Sequence, residues 1–338
     1  MADKKSLVIT SIADDKHPIL NKIAADSARH NYNFILIGDT KSPKEFKIDN
    51  CDFWSVQRQI QLPFELAKLT PVKHYSRKNL GYLIAIKNGS ENILETDDDN
   101  IPFDSFWNER KREVNSKIFK DAGWINVPKY FTDKKIWPRG FPLEKLNEPQ
   151  PGLNSAKKGF ADCPVQQGLA DDNPDVDAVY RLTYPLPVNF ETGKDMVLGE
   201  NSWAPFNSQN TYWFRDAFPL LYLPSYCSFR MTDIWRSFVA QRIAWECDWG
   251  IYYHSPTVRQ KRNDHNLMKD FEDETAGYLN NLKICKELSD LKLKNGKENI
   301  YENLVKCYNK LIEIDVIGKE ELNLLGTWIN DLKSLGIN

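Results

Sequence analysis

Asn92-Ile93-Leu94-Glu95-Thr96-Asp97-Asp98-Asp99-Asn100 runs an apolar pair into three consecutive carboxylates, and Asn100-Ile101-Pro102 then breaks the regular pattern. Three adjacent acids repel one another, so folding alone gives little reason to place them together. A divalent cation removes the repulsion, and hard oxygen ligands suit Mg²⁺ or Mn²⁺. Magnesium usually takes one or two protein carboxylates and completes its shell with phosphates and water. A strand ending in such a cluster is therefore suited to seat a metal–diphosphate. The plainer alternative is an acidic turn on the surface.

Upstream of the acids, residues 7–12 read as a buried strand and residues 18–30 as a helix opening at Pro18. Residues 34–39 are a second apolar strand that ends in the turn Gly38-Asp39-Thr40-Lys41-Ser42-Pro43. Strand, helix, strand implies a parallel pair with a right-handed crossover. A further helix is expected over residues 78–90, with Leu80, Leu83, Ile84 and Ala85 apolar. The acids then stand at the C-terminal end of the next strand, the edge where open α/β sheets bind ligands.

Downstream the pattern loosens. Residues 124–200 are rich in Pro and poor in periodicity, which reads as long loops and short strands that shape a pocket. Helical patterning returns over residues 233–245, and residues 250–256 read as a final strand. From about residue 266 the chain is Leu-, Lys- and Glu-rich with helical spacing, notably over residues 300–312 and 319–335. The expected division is a domain over residues 1–275 and a helical region over 276–338.

With 338 residues, of which 41% are hydrophobic, the chain can bury more than one ordinary core. The net charge of −2 argues against nucleic acid as a partner. No run of about eighteen apolar residues encodes a transmembrane segment, and Met1-Ala2-Asp3-Lys4-Lys5-Ser6 does not read as a secretory signal. The six cysteines are scattered, with no CxxC pair, which suits a reducing compartment and excludes a common zinc-ribbon pattern. A cytoplasmic location follows as an expectation, compatible with peripheral membrane contact. Oligomeric state is not encoded in any motif.

The ordered motifs carry a resemblance. Gly-Asp-Thr-Lys-Ser-Pro, Arg77-Lys78-Asn79-Leu80-Gly81-Tyr82 and the acidic run together look like a GT-A glycosyltransferase. The chain more narrowly resembles the STELLO-type glycosyltransferase-like family through Trp137-Pro138-Arg139-Gly140-Phe141-Pro142 and Pro205-Phe206-Asn207-Ser208-Gln209-Asn210-Thr211. Asp233-Ile234-Trp235-Arg236 and Pro256-Thr257-Val258-Arg259-Gln260 extend it to roughly residues 6–275. A weaker similarity reaches the plant reversibly glycosylated polypeptides, which include UDP-arabinopyranose mutases. STELLO proteins carry a membrane anchor with no counterpart in this sequence, so their location does not carry over. The implied fold is α/β, Rossmann-like, with a mostly parallel central sheet, flanking helices and a C-terminal helical appendage.

The resemblance implies roles. Among Asp97, Asp98 and Asp99, an outer acid would bind Mn²⁺ or Mg²⁺ and another the donor's ribose. Thr10, Ser11 and Asp39 end strands on the same edge and would meet the nucleoside, although Gly-Asp and Ser-Pro are also ordinary turn formers. Lys41 and Asn79, within the quoted motifs, join the donor-binding set. Arg77 and Lys78 could neutralise the diphosphate or simply be solvated. Asp233 would deprotonate the acceptor hydroxyl, while Thr232 or Asp233 is equally suited to cap a helix. His254 would be a further metal ligand. Arg139 could clamp phosphate or sugar bidentately, or pack on Trp137. Arg259, Lys261 and Arg262 could close over phosphates, and Asn207, Gln209 and Asn210 offer amides to sugar hydroxyls.

The expected function is metal-dependent transfer of a sugar from a nucleotide-sugar donor, UDP-linked, to a glycan or glycolipid hydroxyl, with inversion if Asp233 is the base. The rivals are a nucleotide-sugar mutase and a non-catalytic nucleotide-sugar-binding scaffold.

Overall fold

The structure is a computed structural model that describes residues 4–262 and 266–338. Strand β1 (Lys5–Thr10) leads into helix α1 (Pro18–Arg29) and β2 (Tyr32–Ile37), followed by β3 (Cys51–Trp54) and the short helices α2 (Val56–Ile60) and α3 (Glu65–Leu69). Helix α4 (Lys78–Lys87) precedes β4 (Asn92–Thr96), which turns through the three acids into β5 (Asn100–Pro102). β6 (Glu113–Phe119), β7 (Gly123–Trp124) and β8 (Lys157–Asp171) follow, then α5 (Ala178–Thr183), β9 (Asp195–Leu198), β10 (Ser202–Trp203) and β11 (Asn210–Phe214). α6 (Thr232–Trp245), β12 (Trp249–Gln260), α7 (Leu267–Ser289), α8 (Ile300–Glu313) and α9 (Glu321–Ser334) complete the chain.

The main sheet runs β3-β2-β1-β4-β11-β8-β6-β9-β12-β5, with a further β8–β12 pairing. The first four strands are mutually parallel, as the strand–helix–strand reading requires. β11 enters antiparallel to β4, and the remaining half is mixed. The fold is thus α/β of the expected kind, with parallel pairing concentrated in the N-terminal half. Alternate residues serve opposite faces. Val8, Ile35, Ile37 and Ile93 join the core beneath α4, whereas Leu7, Ile9, Phe34, Leu36 and Leu94 pack beneath α1. Strands buried on both faces read as continuous apolar runs, which is why β1, β2 and β4 are legible, whereas half-buried β3 is not among the expected strands. Gly81 lets α4 press on the sheet, since a Cβ there would lie 2.5 Å from Val8 Cγ1.

The long central strand β8 is the main departure from the expectation of loops and short strands over residues 124–200. Its sequence, KKGFADCPVQQGLAD, lacks a β-branched run and contains Pro164. The proline falls where the ladders change: β6 pairs up to Asp162, and β11 begins at Val165. The register against β12 also shifts between its Trp249 and Ile251 pairings. A residue without an N–H is tolerated at such a break.

The expected boundary after residue 275 lies inside α7. One apolar cluster includes Val8 and Ile93 of the sheet together with Ile284, Leu304, Leu311, Leu325, Trp328 and Leu332 of the last three helices. The indole of Trp328 donates to the Pro219 carbonyl, and Asp331 accepts from the backbone N–H of Leu66 at 3.0 Å, opening α3. No helix among the described residues is long and apolar enough to cross a membrane.

Candidate active site

Two adjoining cavities lie at the C-terminal edge of β1, β2 and β4. One, about 290 Å³, is bordered by Asp97, Asp98, Asp99, Arg139, Asp233 and Gln260. The other, about 440 Å³, is bordered by Ser11, Asp39, Lys41 and His74. Thr10, Tyr75, Asp98 and Phe229 line both. Local geometry explains the first wall: β4 ends at Thr96, whose hydroxyl donates to the Gln209 carbonyl at 2.6 Å, and the acids form the turn into β5. The Ser11 hydroxyl at the end of β1 donates to Asp98, tying the turn to the seam between the cavities.

The acids differ in their surroundings. Asp97 faces the fully buried ammonium of Lys78 at 3.4 Å, and that ammonium also donates to the Thr96 carbonyl at 2.9 Å. Burial pushes the Asp97 carboxyl up to about 7; the neighbouring carboxylates add to this and Lys78 opposes it. Burial likewise pushes Asp99 up to about 6, against a hydrogen bond from Gln260 Nε2 at 3.0 Å. The second oxygen of Asp99, Oδ1, is buried without a hydrogen-bond partner, and so is Oε1 of Gln260. A buried acceptor left without a donor is costly, and two such oxygens in one wall are a hard donor set that fits a divalent cation. Among the described residues no three His, Cys, Asp or Glu side chains are grouped to hold a metal. One or two carboxylates completed by phosphate and water suit Mg²⁺ or Mn²⁺ better than a closed protein cage.

Asp233 stands in the first turn of α6 and lines the same cavity. Its Oδ1 accepts from Arg139 Nη1 and from the Ile234 N–H, both at 3.0 Å, and its Oδ2 accepts from Arg139 Nη2 at 3.0 Å and the Ser208 N–H at 3.3 Å. Burial favours the protonated form, but the Arg139 guanidinium outweighs it and holds the carboxyl below the ordinary range. Gly140, with φ of +90°, aims the arginine: a Cβ there would also lie 2.5 Å from Ile234 Cγ2.

The remaining expected residues divide. Thr10, Ser11, Asp39 and Lys41 line the second cavity. Asp39 also caps its own loop, accepting from the Thr40 N–H at 2.6 Å and the His74 N–H at 3.1 Å. Arg77 reaches that cavity's wall, but its guanidinium is turned away to Gln59 Oε1 at 2.8 Å and the Thr70 carbonyl at 3.0 Å. It braces the loop before α4, and the cation beside the acids is Lys78. Asn79 is buried and exchanges two hydrogen bonds with Leu223, each 2.9 Å, so it is structural. His254 does not join the acids: its Nε2 lies 2.7 Å from Arg110 Nη1 and its Nδ1 meets the Ser255 carbonyl at 2.8 Å. Burial and the Arg110 charge hold it well below the usual imidazole range. The end of β12 contributes Gln260 to the cavity instead.

Arg139 neither packs on Trp137 nor presents a free clamp. It is held bidentately on its other side by Asp175, at 2.9 and 2.8 Å, while the Trp137 indole donates to Asp177. Asn207 supports Asp175 at 2.8 Å. Asn210 instead donates to the Leu169 carbonyl. Arg259 and Lys261 line a separate cavity, and only Arg262 of that trio also lines the first. Asp175, Tyr75 and Phe229 had no sequence signal; Asp175 sits in the Pro-rich stretch that shows no periodicity.

Comparison with known proteins agrees with the resemblance. A family model described as STELLO glycosyltransferases matches residues 230–338. Over 324 residues, 90% of this chain, the sequence is 26% identical to probable glycosyltransferase STELLO2 of Arabidopsis thaliana and 25% identical to STELLO1 of the same plant. The chain covers 42% of the length of each of these relatives. A solved structure of a mannosyltransferase from Pyrobaculum calidifontis, in complex with GDP-Man and Mn²⁺, matches with a TM-score of 0.40 and 7% identity, covering 98% of this chain and 75% of that one. The chain resembles the STELLO-type glycosyltransferases.

Proposed function

We propose that this chain transfers a sugar from a nucleotide-sugar donor, UDP-linked, to an acceptor hydroxyl in a reaction that depends on Mn²⁺ or Mg²⁺. The observation that carries the reading is the seam of the two cavities, where Ser11 meets Asp98 and the buried unpaired oxygens of Asp99 and Gln260 lie alongside. In this reading the nucleoside lies in the cavity of Thr10, Ser11, Asp39 and Lys41. The diphosphate crosses the seam, and the sugar and acceptor occupy the cavity of Asp233.

Asp97 and Asp99, with Gln260 beside them, would hold the cation. Such an ion acts as a Lewis acid that offsets charge on the departing diphosphate. Lys78 balances Asp97 from beneath and fixes the turn. Asp233, kept ionised by Arg139, accepts the proton of the acceptor hydroxyl as the oxygen attacks the anomeric carbon, so the configuration inverts. The same ion pair lowers its basicity, so proton transfer is expected to trail bond formation. Arg139 and Asp175 act on the acceptor only through the position they give Asp233.

We also propose that the last helices support this site and are not separable from it. Glu321 of α9 accepts from the Ser225 and Tyr226 N–H groups at 2.9 and 2.7 Å, holding the segment that leads to Phe229.

The test is a thermal-shift titration of UDP-, GDP- and CMP-sugars with Mn²⁺ or with EDTA, since a ligand that binds the native state raises its apparent stability. A metal-dependent shift with one nucleotide class is expected, and no shift with any would overturn the reading. Incubating the bound donor without acceptor then separates transfer from a mutase, which alone would isomerise the free donor.

A further inference from the structure

Beyond the Asp97–Asn100 turn lies a third cavity of about 600 Å³, between the start of α1 and the β5–β12 edge. His17, which caps α1, and Lys22 within it face the cavity from one side, and Arg259 of β12 with Lys261 and Arg262 just beyond it face the cavity from the other. Among the described residues, no carboxylate lines it. The strand alternation produces this division. Arg259 pairs with Ile101 and Gln260 with Asn100 across the β12–β5 ladder, so successive side chains leave opposite faces. Gln260 turns to Asp99, while Arg259 and Lys261 turn to the groove. Lys22 is paired with Asp26 and Arg262 with Asp270, each at 2.6 Å. Arg259 and Lys261 are exposed and have no side-chain hydrogen bond or ion pair among the described residues. The Lys261 N–H donates to the Asp99 carbonyl at 2.8 Å, so the groove and the acids share one backbone bond. Arg262 lines both the groove and the cavity of Asp233.

Cations crowded on one concave wall repel one another, and an anion relieves that repulsion. Guanidinium and ammonium groups together match the oxygens of a phosphate. We propose that this groove binds a phosphate group carried by the acceptor, so that the acceptor is a phosphorylated molecule that passes Arg262 to bring its hydroxyl to Asp233. The proposal rests on the function proposed above for the assignment of the acceptor, while the phosphate site itself stands on the groove alone. The phosphate is either that of a soluble ester or that of a lipid headgroup.

The experiment compares the wild-type chain, the Arg259→Gln/Lys261→Gln double variant and Lys129→Gln, an exposed cation elsewhere. Inorganic phosphate is titrated calorimetrically at low ionic strength without metal, and phosphatidylcholine vesicles containing phosphatidic acid are tested by sedimentation. Wild type and Lys129→Gln are expected to bind phosphate, with affinity falling as salt rises. The double variant should bind about tenfold more weakly, the loss of two charge-assisted contacts. Vesicle binding with the same dependence identifies the lipid source, and its absence beside retained phosphate binding identifies the soluble one. Equal phosphate binding by wild type and double variant overturns the proposal. UDP-sugar binding with Mn²⁺ is measured on the same samples and should be unchanged by the double substitution. Parallel loss of donor and phosphate binding would assign the groove to the donor's own phosphates and overturn this inference. A wild type that binds phosphate but no nucleotide sugar would sink the proposed transfer and leave the phosphate site standing.

Discussion

Arg139 and Asp233 face each other through two parallel hydrogen bonds of 3.0 Å, and the guanidinium is gripped on its other edge by Asp175 at 2.9 and 2.8 Å. One cation therefore serves two carboxylates, buried Asp233 and half-buried Asp175, in a wall that also contains the acids of the β4–β5 turn. A pair of this geometry holds the Asp233 side chain at a defined angle before any acceptor arrives.

Asp233→Asn keeps the size of the side chain and removes the proton acceptor. Turnover is expected to fall by about 10²–10⁴, the usual contribution of a general base. Donor affinity should stay near the wild-type value. Transfer rate and donor Kd on one purified sample decide the matter, and near-normal turnover would leave Asp233 a purely structural residue.

Asp97→Ala and Asp99→Ala should each abolish the Mn²⁺-dependent part of donor binding while the circular dichroism spectrum is retained. The motive is the buried, unpartnered oxygen of Asp99 and the crowding of like charges about Asp97. Full metal dependence in either variant would remove that residue from the cation site.

Arg139→Gln leaves buried Asp233 and half-buried Asp175 without their cation. Breaking a buried pair in this way costs about 3–5 kcal/mol, so the urea midpoint should drop steeply. Arg139→Lys should recover part of that loss, since a lysine restores the charge without the two-sided fork. If Arg139→Gln were as stable as wild type, the arrangement described for Asp175 and Asp233 would be incorrect.

The same cluster sets an acid limit. Burial favours the protonated forms of Asp175 and Asp233, but Arg139 outweighs it and holds both below the ordinary carboxylate value of 3.8. Groups with depressed folded-state values contribute stability that is complete above the unfolded value and is lost as pH falls through the folded one. The loss is therefore expected below about pH 4, in line with unfolded carboxylates near that value. Urea midpoints between pH 6 and pH 3 should fall more steeply for wild type than for Asp175→Asn; parallel curves would refute the linkage.

Cutting the chain after Ala276 divides α7 and removes Asn281, Trp328 and Asp331, partners of Trp235, Pro219 and Leu66. The product is expected to be insoluble, because a large apolar surface beneath α6 is uncovered. A well-folded, donor-binding product of that length would restore the separable tail.

Much of this protein was determined within short stretches. The parallel strands β1, β2 and β4 announce themselves because both their faces are buried, which makes each an unbroken apolar run. The position of Asp97–Asp99 at a strand end follows from the same local pattern. Tertiary structure decided what depended on distant partners. β8 is central although its composition argues against a strand, because its proline coincides with a change of ladder. Arg77 and Asn79 look like donor ligands beside the acids, yet Gln59 and Leu223 take their side chains. Asp175 meets Arg139 across 36 positions, and Gln260 meets Asp99 across 161. Periodicity reports which face of an element is buried; it does not report which polar group waits there, since that is settled only when remote segments pack and each buried donor and acceptor must be satisfied.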